Sequence, residues 1–125
     1  MLAIIYVVLS VLVTRQRVKH RVPLGAGNSP ALERAIRVHA NFAEYVPVAL
    51  VLMLVYELNT GRTRTVAIYG ACLVAARVLH AMGLSYSHLP NPMRFIGTVL
   101  TWMIVIGLAA VNILYCAQTI LRLES

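Results

Sequence analysis

Four long apolar runs constrain this chain more than any other feature. They are "MLAIIYVVLSVLV" and its continuation to about residue 18, Pro30 to Leu58 around "VALVLMLV", Thr63 to Ser85, and Met93 to Leu123. A helix needs roughly 20 mostly apolar residues to cross a bilayer. The last three runs reach that length, and the first does so if Arg15 and Arg17 extend their charged ends back to the interface. The punctuation between runs supports the same division. Ser29 followed by Pro30 offers a capping hydroxyl and a proline at the first helical position. Gly61 in "ELNTGR" can take the left-handed turn that ends a helix, and the two prolines of "SHLPNP" break the chain before the fourth run. The expectation is an all-α integral membrane four-helix bundle in a single domain spanning residues 1–125, with helices at about 1–18, 30–58, 63–85 and 93–123.

Charge sets the orientation of that bundle. Eleven Lys and Arg face four Glu and no Asp, for a net charge of +7, yet only 12% of the chain is charged and 60% is hydrophobic. Soluble domains carry about 25% charged residues. The bases bunch between apolar runs, as in "RQRVKHR", which points to lipid headgroups and membrane orientation and not to nucleic acid. Arg15, Arg17, Lys19, Arg21, Arg34 and Arg94 lie on the side of the first and third connections, against Arg62, Arg64 and Arg122 on the other. The positive-inside rule then puts the large basic loop in the cytoplasm and both termini outside. The first run has no basic segment before it, so it reads as an inserted helix and not as a secretory signal. Cys72 and Cys116 sit inside apolar runs at a spacing that suggests neither a metal site nor a redox pair.

Polar groups inside the second and third runs are the candidates for function. At about 100° per residue, Arg34, Arg37, Asn41, Glu44 and Tyr45 share an arc of about 100°, with His39 on another face. Arg77 and His80 form a similar pair in "RVLHAMGL". Charges at membrane depth cost several kcal/mol, so they should face protein or water and find partners. Arg37 and Arg77 are the natural partners of Glu44. Such pairs can serve only to lock helices into register. The excess of arginine over carboxylate favours a small anionic ligand instead, because guanidinium forks match carboxylates. His20 and His88 read as solvated loop residues, Thr98, Thr101, Asn112 and Gln118 as packing contacts of the fourth helix, and Trp102 as packing on lipid or a neighbour.

"ERAIRVHANFAEYVP" resembles the second-helix signature of the MAPEG family, the membrane-associated proteins in eicosanoid and glutathione metabolism. Arg37, Asn41, Glu44, Tyr45 and Pro47 match that signature in type and spacing. The Glu-Tyr-x-Pro form is closest to the microsomal glutathione transferase and leukotriene C synthase type and to small bacterial members. "RVLH" resembles the family's Arg-x-x-His, giving Arg77 and His80, and Arg94 lies where catalytic branches carry an arginine near the glutathione sulfur. The resemblance implies a homotrimer in a bacterial cytoplasmic membrane, binding glutathione as co-substrate between subunits. In it Arg37 and Arg77 would hold carboxylates, Glu44 would meet the ammonium or orient an arginine, and Asn41, Tyr45 and His80 would complete the cradle. Arg94 would favour the thiolate, which attacks a lipophilic electrophile or a hydroperoxide arriving from the bilayer. Leu84 stands where catalytic relatives often carry tyrosine. Two other readings fit the same residues: a family member that binds lipid or glutathione without chemistry, and a small transporter or assembly subunit.

Overall fold

The computed structural model describes residues 1–86 and 91–123, with the side chains of residues 84–86 outside that description. Its described residues form four helices: α1 (Leu2–His20), α2 (Pro30–Thr60), α3 (Thr63–Tyr86) and α4 (Pro92–Leu123). The α2 start is set as its sequence dictates: Ser29 Oγ accepts from the Leu32 N–H at 3.3 Å, with Pro30 at the first helical position. Its end is Gly61 at φ 64°, whose N–H reaches the Glu57 carbonyl at 2.8 Å. Glycine takes this left-handed conformation without the steric cost a Cβ brings.

The end of α1 differs from expectation. The helix runs on to His20 and stops at Arg21, a non-glycine residue at φ 54°. The N–H groups of Arg21 and Val22 pick up the carbonyls of Val18 and Arg17, which satisfies the last turn. Arg17 then donates from Nη1 to the carbonyls of Val22, Pro23 and Gly25, at 3.4, 3.3 and 2.9 Å. Its cation thereby pins the basic loop to the end of α1. Among the described residues three helices are long and apolar enough to cross a membrane: α2, α3 over Thr63–Gly83, and α4. The fourth expected span, α1, places its charges in its last turns and does not meet the same composition.

α3 packs chiefly on α4, α1 on α2, and α2 touches both α3 and α4. Ala49, Met53, Tyr56, Leu73, Ile104 and Leu108 fill one apolar centre, and Leu9, Val38, Phe42 and Val46 fill another between α1 and α2. Large apolar side chains elsewhere point outward, Phe95 and Ile106 among them, as a bilayer solvent permits. Arg77, His80 and Thr101 are buried polar residues of the α3–α4 region.

Candidate functional site

α2, α3 and α4 enclose a cleft of about 210 Å³ lined by Arg37, Ala40, Asn41, Glu44, His80 and Arg94. The four α2 residues recur at helical spacing and so present one face. His80 is buried, Asn41 half-buried, and Arg37, Glu44 and Arg94 exposed, so the cleft opens outward from a sealed inner wall. Asn91 shapes the α4 side. Its Oδ1 accepts from the Met93 N–H at 2.9 Å and its carbonyl accepts from the Phe95 N–H at 3.1 Å, which fixes the turn that carries Arg94. A guanidinium at a helix start adds to the positive end of the helix dipole, and both favour an anion there.

Arg77 lies behind this cleft and not in its wall. Only 2% exposed, it donates from Nη1 to Asn41 Oδ1 at 2.8 Å and from Nη2 to the Gly97 carbonyl at 3.5 Å. Its guanidinium carbon sits 5.6 Å from the Tyr45 ring centroid, within cation–π range. Nε is buried with no partner. Among the described residues no carboxylate forms an ion pair with Arg77 or with Arg37, which corrects the expectation that Glu44 partners them. The physical reason is reach: Glu44 turns outward on α2, while Arg77 is drawn inward by an amide and a backbone carbonyl.

The remaining expected residues divide in the same way. Tyr45 stays out of the cleft; its ring faces Arg77 and its hydroxyl accepts from Trp102 Nε1 at 3.4 Å. His39 faces α1, where Nε2 lies 3.0 Å from Ser10 Oγ and the ring centroid lies 4.9 Å from that of Tyr6, the two planes tilted by 42°. Asn112 makes a packing contact, donating to the Leu52 carbonyl at 3.0 Å. The side chains of Leu84 and Tyr86, and all of His88, lie outside the described residues.

Two glycines that sequence reasoning passed over hold the site together. A Cβ on Gly97 would come within 2.6 Å of the Ala76 carbonyl oxygen and 2.7 Å of the His80 backbone nitrogen; one on Gly83 would come within 2.5 Å of the Arg94 backbone nitrogen. The α3 and α4 backbones meet there, and small residues are what let membrane helices approach so closely. The available signal was a glycine inside a helical run on each side of the break, near the end of α3 in "HAMGL" and near the start of α4 in "RFIGT". Arg94 also lines a second, more apolar groove of about 340 Å³ with Phe95, Thr98, Val99 and Trp102. It thus stands between a polar cleft and an apolar one.

Comparison with known proteins agrees with this plan. Residues 1–114 match the family model of the MAPEG family. Over 123 residues the chain is 37% identical to the inner membrane protein YecN of Escherichia coli (strain K12), covering 92% of each chain. The YecN protein of Escherichia coli O6:H1 (strain CFT073) matches to the same extent.

Proposed function

The chain belongs to the MAPEG family, and on that premise we propose that it binds glutathione in the arginine cleft and uses it on lipophilic substrates. It is an integral membrane protein with bacterial relatives; its place in this reading is the cytoplasmic membrane, with the basic loop inside and the protein assembled as a trimer. One observation carries the proposal: Arg37, Asn41, Glu44, His80 and Arg94 line one cleft, with the buried Arg77 behind it lacking a carboxylate partner. That excess of cation suits glutathione, which brings two carboxylates and one ammonium. Arg37 takes a carboxylate, Glu44 the ammonium, and Asn41 a hydrogen bond. Arg77 acts through Asn41, holding its amide in place while adding positive potential.

The chemistry follows from the α4 start. A free thiol ionises near pH 8.5, and a neighbouring cation or helix N-terminus favours the thiolate. Arg94 and the first turn of α4 supply both. The thiolate then attacks an electrophile lying in the groove beside Phe95 and Trp102. With a chlorinated aromatic, a C–S bond forms as the C–Cl bond breaks and chloride leaves. With a lipid hydroperoxide, sulfur takes the terminal oxygen, the lipid leaves as its alcohol, and a second glutathione converts the resulting sulfenic acid to disulfide and water. Leu84, in place of a tyrosine that catalytic relatives often carry, favours a second reading in which glutathione or lipid is bound without turnover.

Purified protein in detergent, given glutathione and either substrate, separates these readings. Thiolate absorbance and turnover that disappear in Arg94→Ala support the enzyme. Glutathione binding without thiolate or turnover supports the non-catalytic binder. No binding at millimolar glutathione, with Arg37→Ala indistinguishable from wild type, eliminates both.

A further inference from the structure

The end of the bundle opposite the arginine cleft holds a second polar site. α4 continues there past its last buried residue, Leu108, and residues 113–123 are all exposed. At about 100° per residue, Ile113, Leu114, Ala117, Ile120 and Leu121 form one arc of this tail, and Tyr115, Gln118 and Thr119 fall opposite. A helix surrounded by lipid gains by turning its polar arc toward protein. Accordingly Tyr115 and Gln118 face Tyr56, Asn59 and Arg62 at the end of α2, across a cleft of about 470 Å³.

Its chemistry is one-sided. Among the described residues the lining offers a guanidinium, phenol hydroxyls and two carboxamides, and no carboxylate. The Thr60 hydroxyl is already used, donating to the Tyr56 carbonyl at 2.7 Å and accepting from the Arg62 N–H at 3.3 Å. The Arg62 guanidinium forms no hydrogen bond or ion pair among the described residues. α3 begins at Thr63 with the positive end of its dipole beside that guanidinium, while α2 ends at Thr60 with its negative end at the same place, so the helix dipoles largely offset and the guanidinium carries the charge of the site. Donors converging on an uncompensated cation call for an oxyanion, and where membrane helices end the abundant oxyanion is a phospholipid phosphate. We propose that this cleft holds the phosphate of an anionic phospholipid, with an acyl chain lying in the bilayer against Leu114. The site shares no residue with the glutathione cleft and stands or falls separately from it.

Delipidated protein in detergent, titrated with short-chain phosphatidylglycerol and phosphatidylcholine and followed by native mass spectrometry, tests this. Wild type should bind phosphatidylglycerol about tenfold more tightly, and Arg62→Gln should bring the two lipids within about twofold. Arg37→Gln should keep the preference. Equal binding of both lipids by wild type, or an unchanged preference in Arg62→Gln, overturns the proposal. So does a preference lost in Arg37→Gln alone, or binding of inorganic phosphate with no lipid preference.

Discussion

Arg77 brings a cation into the interior of α3 with an amide, a backbone carbonyl and a ring face as its partners, and with Nε unsatisfied. A buried ion held this way contributes little net stability, because desolvation offsets most of what its hydrogen bonds return. Its value in the proposed function is electrostatic, as potential behind the cleft and as the brace of Asn41. Two substitutions should therefore part company. Arg77→Met fills the space, removes the buried charge, and should melt at or above the wild-type temperature in detergent. Asn41→Leu leaves the guanidinium without its best acceptor and should cost about 2 kcal/mol. Both should weaken glutathione binding about tenfold, measured by equilibrium dialysis. A melting temperature for Arg77→Met below that of Asn41→Leu overturns this account.

Among the elements, α3 and α4 depend on contact at two glycines, and not every helical glycine here does that work. A methyl group at Gly97 meets the Ala76 carbonyl and the His80 backbone, whereas at Gly107 or Gly70 it meets nothing within 4 Å. Gly97→Ala should destabilise by about 1–3 kcal/mol, as overpacking does, and should displace Arg94 relative to His80, with loss of glutathione binding. Gly107→Ala should be neutral or stabilising by up to about 1 kcal/mol through helix propensity. Thermal unfolding of the two variants side by side checks the contrast, and equal effects would remove the role given to the α3–α4 crossing. The same region shows what the sequence reveals and what it conceals. Helix ends were legible because Ser29, Pro30 and Gly61 act through local backbone chemistry. The α2 stripe was legible because helical period alone puts Arg37, Asn41 and Glu44 on one face. Arg77's choice of Asn41 over Glu44 was not, since it depends on how closely α3 approaches α4 and on the Gly97 carbonyl that this approach exposes. The loop contacts of Arg17 were hidden for a similar reason: the three carbonyls it holds converge only after Arg21 turns left-handed.

The exposed face of α2 is left uncovered by the chain's own helices. Arg37 and Glu44 are both exposed, and Val48, Val51 and Val55 continue outward below them at nearly heptad spacing. In lipid, a charge at mid-helix depth costs about 2.5–3.5 kcal/mol on insertion scales. A helix face that is charged at one end and apolar along the rest is better covered by protein, and packing against another copy closes the open side of the cleft at the same time. The trimer in the proposed function does both. Native mass spectrometry in mild detergent should give the mass of three chains, and Glu44→Lys, which adds like charge beside Arg37, should shift that population toward monomer. Since Glu44 lies outside the apolar core, the variant should keep its helix content by circular dichroism, while glutathione binding falls both with the trimer and with the loss of the carboxylate that meets the ammonium. A wild-type protein that is monomeric at micromolar concentration yet binds glutathione would confine the site to one subunit and refute the assembly.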